Sequence, residues 1–431
     1  MDIEIKVIAA RNIIAGDITG TSDAYIKLYL NDKQFDKTKV TKPTLNPDWN
    51  EIFKCKAKKG DKLKFHLYDH DRFSRDDELG EVNYIIPDLI TGETIYEIQK
   101  FSTQGLLYFS IICRKGGIEK QEKDVDIKDK VILKISSVNL KLYNFLIPRE
   151  ARNADKYTVR VGVKSDHTPQ AETDRAAELW TANYPQEFYV ETRVEEKISF
   201  SMIFSEKKDD KSEELAKGDW RVPDLRDGEV ITVAVASKNY ATFNVKIECL
   251  RGIYHNVKKD QIPSPSDEGR NDLVRYQILM EKGMNIPRKD KHSESDPYVK
   301  LKTLRNKNWR FTPAMYDNAS PKWMEGLKLK CKPGSELIMH VYDYDKSSKR
   351  DDIIGKAELT IPTDLKLETP KQFSCKIGTY NSSFIVLSLK RMRNLTVSYY
   401  KLKYGEDYLE KVQEEEKIKK EKEKEKKKQK K

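Results

Sequence analysis

The chain is poor in cysteine and has no long apolar run. Its five cysteines, Cys55, Cys113, Cys249, Cys331 and Cys375, include no C-x-x-C pair, so a zinc site has no support. An odd, scattered set in a chain without a secretory start reads as reduced thiols, buried as small apolar residues in strands. Apolar runs such as Phe384 to Leu389 reach strand length only, far short of the ~20 residues that a membrane-spanning helix needs. The start, Met1-Asp2-Ile3-Glu4, lacks a basic stretch followed by an apolar one, so no signal peptide is expected and the chain is expected in the cytoplasm. Helical periodicity is nearly missing before residue 395. There is no G-x-S-x-G, P-loop, H-E-x-x-H or glycine-rich kinase loop, and an enzyme is not expected.

What the chain does have is charge. Charged residues make up 35% of 431 and hydrophobic ones 38%, with a net charge of +11. That composition suits several modest cores. The segment from Lys411 to Lys431 holds eleven Lys and six Glu and reads as an exposed helix or a disordered tail that could be drawn to an acidic membrane. The positive balance favours anionic partners. Nucleic acid is not expected, because no recognition motif appears and the loops are acidic.

The sequence also repeats. Asp23-Ala24-Tyr25-Ile26-Lys27-Leu28 is matched by Asp296-Pro297-Tyr298-Val299-Lys300-Leu301, and faintly by Asp155-Lys156-Tyr157. Further on, Pro47-Asp48-Trp49-Asn50-Glu51 is matched by Pro321-Lys322-Trp323-Met324-Glu325, with Tyr184-Pro185-Gln186-Glu187-Phe188 between them. Then Leu67-Tyr68-Asp69-His70-Asp71 is matched by Val341-Tyr342-Asp343-Tyr344-Asp345. The fixed order predicts three units, at 1–115, 125–252 and 270–392, followed by a Lys/Glu-rich tail at 393–431. Strict alternation, as in Ile3, Ile5 and Val7 against Asp2, Glu4 and Lys6, predicts strands with one buried face. Many short strands in each unit predict an all-β fold of tandem antiparallel sandwiches. Lys115 to Asp124 and Gly252 to Arg270 read as linkers.

Acidic residues recur within the repeats. Unit one has Asp17 and Asp23 in one loop and Asp69, Asp71 and Asp77 in another; unit three has Asp290 and Asp296, then Asp343, Asp345 and Asp351 or Asp352. Five carboxylates gathered at one end of a sandwich repel each other unless a cation neutralises them. Hard oxygen donors on flexible loops suit Ca²⁺ better than Mg²⁺. An EF-hand is excluded, since Phe73 and Ser74 occupy the fifth and sixth loop positions.

Gly20-Thr21-Ser22-Asp23-Ala24-Tyr25, Tyr68-Asp69-His70-Asp71-Arg72-Phe73-Ser74-Arg75-Asp76-Asp77 and Ser295-Asp296-Pro297-Tyr298 resemble the calcium-binding loops of C2 domains, most of all those of synaptotagmin and classical protein kinase C. The resemblance covers units one and three. It implies an eight-stranded antiparallel sandwich in the phospholipase-type permutation, and calcium-dependent binding to anionic phospholipid. It implies Asp17, Asp23, Asp69, Asp71 and Asp77 as metal ligands, with Asp290, Asp296, Asp343, Asp345 and either Asp351 or Asp352 in unit three. The backbone carbonyls of Ile18, Lys291, Arg72 and Lys346 would be further ligands, and His70 and Tyr344 fall within the metal loops. Arg72 and Phe73 at the loop tip would meet lipid. Lys27, Lys37, Lys39, Lys300, Lys302, Arg305, Lys307 and Arg310 lie where relatives bind phosphoinositides. The middle unit has Ile203-Phe204-Ser205-Glu206 in place of the paired aspartates and is expected to hold no calcium and to serve as a spacer or a protein-binding module. The rival to a membrane binder is a calcium-regulated protein scaffold.

Overall fold

Alternating sequence becomes strand. β1 (Asp2–Arg11) buries Ile3, Ile5 and Val7 on one face and leaves Asp2, Glu4 and Lys6 on the other, so burial of one face selects its register. The computed structural model describes residues 1–16, 20–71, 75–121, 129–142, 157–175, 181–206, 212–237, 241–258, 262, 273–289, 293–304, 306, 308–345, 351–367, 369–392, 400, 410–411 and 414.

The first sandwich continues with β2 (Ala24–Leu30), β3 (Lys33–Lys37), β4 (Asp48–Lys56), β5 (Lys62–Asp69), β6 (Asp77–Ile85), β7 (Thr94–Lys100) and β8 (Leu106–Lys115). Its antiparallel sheets run β4-β1-β8-β7 and β3-β2-β5-β6. Phe65 from one sheet meets Phe109 from the other at 4.5 Å between ring centroids, inside a core closed by Ile5, Leu28, Leu67 and Ile111. Each such buried side chain contributes about 1.5–3 kcal/mol. The middle sandwich comprises β9 (Val131–Leu142), β10 (Tyr157–Ser165), β11 (Ala171–Glu172), β12 (Thr181–Tyr184), β13 (Phe188–Thr192), β14 (Lys197–Glu206), β15 (Ser212–Arg221), β16 (Val230–Ser237) and β17 (Ala241–Arg251). The third comprises β18 (Val274–Met284), β19 (Pro297–Thr303), β20 (Arg310–Phe311), β21 (Glu325–Cys331), β22 (Glu336–Asp343), β23 (Asp352–Thr360), β24 (Pro370–Lys376) and β25 (Phe384–Met392).

The third sandwich repeats the first strand for strand, as β21-β18-β25-β24 and β20-β19-β22-β23. Even the bulge after Val7 returns after Met280. The middle one has the same order but nine strands, because β12 and β13 together take the place of β4 beside β9. Pro185 stands between them and has no N–H to give the ladder.

Two side-chain devices lock all three copies into one register. The hydroxyls of Thr38, Thr173 and Thr312 accept the N–H of Ile26, Val161 and Val299, and the threonine N–H returns a bond to the same residue's carbonyl. An aromatic side chain donates to the carbonyl two residues earlier: Trp49 to Ala24, Tyr184 to Val159, Trp323 to Pro297. Val161 is therefore the counterpart of Ile26. This corrects the faint match of Asp155 to Asp23: Asp155 lies outside the described residues, and the register puts Thr158 at the position of Asp23. The sequence match slipped because Tyr157 imitates Tyr25, whose true counterpart is Arg160.

The segments read as linkers begin later than expected. Ile118 bridges Ile90, and its N–H bonds the Leu89 carbonyl. Ile253 and Tyr254 are buried. Gly117 and Gly252 each lie against a carbonyl, that of Leu89 or Leu225, where a Cβ would come to 2.4 Å. All five cysteines are free thiols, four of them buried. The tail expectation falls almost wholly outside the described residues. Among those described, no helix is long and apolar enough to cross a membrane.

The first and middle sandwiches form one compact unit, and the third belongs to a second. Within the first unit the seam is built around Arg11, which is 0% exposed. Its guanidinium donates to the carbonyls of Glu187, Ala10, Asn46 and Pro47 and to Asp48 Oδ1. The rings of Tyr108 and Phe188 lie 6.0 Å from it, and Tyr189 packs on Tyr108 and Tyr96. At the other end His255 joins Asp227 of its own sandwich to Glu93 of the first, the latter at 2.9 Å, while Lys120 donates to the His255 carbonyl. The hydrogen bond to Asp227, then its charge and Glu93, raise the His255 pKa above its ordinary value against the opposing effect of burial. A raised folded-state pKa stabilises fully below the unfolded value of about 6.5 and loses that stabilisation as pH rises through the folded value. The first unit should therefore melt at lower temperature as pH rises above about 6.5, and His255→Gln should flatten that dependence in thermal denaturation.

Candidate metal centres

The acidic loops sit at one end of the first and third sandwiches, and the same bonds build both. Where β1 runs out, the Ser22 hydroxyl donates to Ile14 O and accepts the Gly16 N–H; Ser295 does the same with Pro287 O and Lys289 N–H. This clasp holds the loop that carries Asp17 or Asp290. Both of those aspartates, Ile18 and Lys291 lie outside the described residues. The first loop crosses so close over β5 that a Cβ on Gly16 would come within 2.0 Å of Asp69 Oδ2.

At the base, Asp69 is 2% exposed and Asp343 1%. Each accepts the backbone N–H of the first-loop aspartate, Asp23 or Asp296, at 2.6 Å. Continuation of the β2–β5 and β19–β22 ladders spends the N–H groups of His70 and Tyr344 on the carbonyls of Asp23 and Asp296. Asp23 Oδ1 is buried and has no hydrogen-bond partner among the described residues. Strand pairing sets Asp77 opposite Asp69 and Asp352 opposite Asp343. Asp352 thus stands where Asp77 stands, and Asp351 is the counterpart of Asp76.

Those two have another task. The Tyr25 hydroxyl donates to Asp76 and the Tyr298 hydroxyl to Asp351 at 2.6 Å, while Asp76 and Asp351 accept the N–H groups of Asp71 and Asp345 at 3.2 and 3.4 Å. His70 Nδ1 also meets Asp76. The bond from Tyr25 holds the Asp76 carboxyl below its ordinary pKa. Burial, followed by the carboxylate, pushes both tyrosine hydroxyls up. Ser22, Tyr25 and their counterparts were inside the repeated motifs, but a serine and a tyrosine there carry no chemistry that marks a metal loop.

In the middle sandwich the register places Thr158 at the position of Asp23 and Phe204 at that of Asp69. A buried phenyl ring replaces the central carboxylate. Among the described residues of the whole chain, no three acidic, histidine or cysteine side chains are close enough to hold a metal. The loop-tip residues Arg72 and Phe73, and Lys346, are outside the described set, as are Arg305 and Lys307.

On the side of the β3-β2-β5-β6 sheet, Lys27 pairs with Lys37 and lies 3.7 Å from the Tyr68 ring centroid, with Lys37 5.7 Å from Tyr25. In the third sandwich Lys300 lies 4.2 Å from Tyr342, and Lys302 4.7 Å from Trp309. Burial lowers the Lys300 pKa; burial and the neighbouring lysines lower that of His340. Lys39 lies beyond the end of β3, and Arg310 pairs with Leu301 rather than with either lysine.

Residues 1–99 and 275–375 match the family model of the C2 domain. These two segments are C2 domains. The chain is 36% identical to synaptotagmin-10 of Rattus norvegicus over 115 residues, covering 25% of this chain and 20% of that protein. It is 39% identical to synaptotagmin-1 of Aplysia californica over 100 residues, 22% of this chain and 23% of that one. The matches thus span about a fifth of those relatives' length. Among solved structures, a C2 domain of plant extended synaptotagmin 1 is similar at 18% identity and a TM-score of 0.27, covering 31% of this chain and 98% of that one. The calcium-bound pair of C2 domains of extended synaptotagmin 2 gives 16% identity and a TM-score of 0.24, covering 57% and 95%.

Proposed function

We propose that this chain binds anionic phospholipid membranes when calcium rises, through the first and third sandwiches, in membrane trafficking, tethering or signalling. The observation that carries the reading is the duplicated buried carboxylate, Asp69 under Asp23 and Asp343 under Asp296, with identical 2.6 Å backbone bonds. A buried carboxylate is costly without positive charge nearby, and the unpartnered oxygen of Asp23 fits a cation. Asp23, Asp69, Asp71 and Asp77, with Asp17, would hold calcium in the first C2 domain. Asp296, Asp343, Asp345 and Asp352, with Asp290, would do so in the third. Bound calcium supplies positive charge and coordination positions that lipid phosphate can complete. The carboxylates otherwise repel an acidic surface, and each nearby Lys or Arg adds about 1 kcal/mol of attraction to it. The faces of Lys27 and Lys37 and of Lys300 and Lys302 suit phosphoinositide. The middle sandwich, C2-like in strand order and in its threonine and aromatic locks, holds no calcium in this reading and is open to protein contacts. The chain is a binding protein without catalysis, peripheral to the membrane and cytoplasmic between calcium signals.

Co-sedimentation with phosphatidylserine vesicles should require calcium and fail with neutral vesicles. If calcium binds and no vesicle composition pellets the chain, the protein is a calcium-regulated scaffold instead. Tyr298→Phe removes the brace on Asp351. It should cost about 1–2 kcal/mol in stability of the third sandwich and about 10-fold in its calcium affinity, read by calorimetry with the first site disabled.

A further inference from the structure

The stem of the first acidic loop in the first sandwich is tied to the neighbouring sandwich. Asn46 is buried. Its Oδ1 accepts the Asn12 N–H at 3.0 Å and its Nδ2 donates to Asp174 Oδ1 of the middle sandwich at 2.7 Å. Asp174 is held in turn by Gln186 Nε2 on Oδ2 at 2.8 Å. Asn12 Oδ1 accepts a second bond across the seam, from Glu172 N–H at 3.0 Å. Asn12 sits at φ 53°, a left-handed conformation that asparagine tolerates better than most L-residues. The next residue, Ile13, donates to Leu45 O. Three residues further on, Gly16 passes over Asp69.

The third sandwich solves the same problem alone. Asn285, the counterpart of Asn12, has φ 50°. Its Nδ2 donates to Ser382 O, and the Ser383 hydroxyl donates to Asn285 O, both from its own sandwich. Ser320 replaces Asn46 and has no amide to offer a neighbour. The middle sandwich has a phenyl ring and a threonine at the positions of Asp69 and Asp23, yet its exposed Asp174 accepts the side-chain amide of the buried Asn46 in its neighbour's loop stem.

We propose that the middle sandwich is a positioning element for the calcium loop of the first, acting through Asp174 on Asn46 and Asn12. The inference rests on the calcium reading above. The middle copy's remaining contribution to metal binding is then to hold the stem, Asn12 to Gly16, in its position over Asp69.

The test uses the full chain carrying Asp343→Asn, so that calorimetry reads the first site. Asp174→Ala should weaken calcium binding there about 10-fold, in the range found when groups behind a metal ligand are removed. The exchange of donor and acceptor, Asn46→Asp with Asp174→Asn, rebuilds the contact in reverse and should restore affinity to within about 3-fold, as a coupled pair requires. His255→Gln, at the far end of the same seam, should leave the affinity unchanged. Amide hydrogen exchange at Asn12 to Gly16, measured without calcium, gives a second readout: Asp174→Ala should accelerate it and the exchanged pair should slow it again. If Asp174→Ala changes neither affinity nor exchange, or accelerates exchange without weakening calcium, the proposal is overturned. If the parent takes up no calcium, the calcium reading fails, and exchange alone decides whether the brace exists. If Asp174→Ala does not fold, failure of the exchanged pair to recover parental affinity rejects the proposal.

Discussion

Asp69→Asn together with Asp343→Asn should abolish calcium-dependent pelleting with anionic vesicles while leaving both sandwiches folded. Both carboxylates are almost wholly buried, and each accepts a backbone N–H, from Asp23 or Asp296. An asparagine carbonyl accepts the same bond at nearly the same volume. What disappears is one negative charge and one hard oxygen donor at the base of each pair of acidic loops. Removing a ligand should cost at least the roughly 100-fold that marks the upper range for groups behind one. The calcium-free variant should be no less stable than the parent, because repulsion within each cluster has fallen. Calcium at about 100 times its Kd should stabilise the parent by about 2.7 kcal/mol and the variant not at all. Single variants should each retain one working end, and vesicle clustering, which needs two, should vanish in either. Undiminished calcium-dependent pelleting by the double variant would remove the acidic clusters from the mechanism.

The largest expected loss of stability follows Arg11→Met. The third sandwich shows that the substitution suits the strand: Met284 occupies the equivalent register position, opposite Phe384 as Arg11 is opposite Leu106, and is 38% exposed. The loss therefore comes from the seam. Without the guanidinium, the carbonyls of Glu187, Asn46 and Pro47 lose its charged donors in a buried site. Asp48 is half-exposed and regains water, which places the cost near the lower end of the range for breaking a buried charged contact, about 3 kcal/mol. In a unit of this size that corresponds to a fall of about 6–12 °C in melting temperature. Scanning calorimetry should show the shift in the transition of the first unit and none in that of the third sandwich. A first-unit transition within about 1 °C of the parent would show that Arg11 does not hold the seam.

The all-β architecture was legible because burying one face imposes period two on the sequence, as in β1 and β5, and the Pro-x-Trp and Asp-x-Asp repeats named the elements in order. The middle copy was harder. Its β4 equivalent is split at Pro185, and Tyr157 resembles Tyr25 three residues out of register. The bonds of Thr173 to Val161 and of Tyr184 to Val159, with the β10–β14 pairing, identify Thr158 and Phe204 as the residues at the positions of Asp23 and Asp69. The choice between Asp351 and Asp352 could not be made by spacing, since the loop is one residue longer than in unit one. In the structure the start of β23 sets Asp352 opposite Asp343, as Asp77 is opposite Asp69, and the Tyr298 hydroxyl donates to Asp351.

The seam was invisible in sequence. Arg11 reads as an ordinary exposed strand end, and Asn46 and Asp174 are 128 residues apart. Local patterning reports which side of a strand meets an apolar interior, and which side chains carry charge at a loop. That was enough to determine an all-β chain of antiparallel sheets. Which buried polar groups satisfy one another depends on where distant backbone brings them together, so the bonds of Asp76 to Tyr25 and of Asp351 to Tyr298, and the union of the first two sandwiches around a buried guanidinium, were decided by the tertiary structure alone.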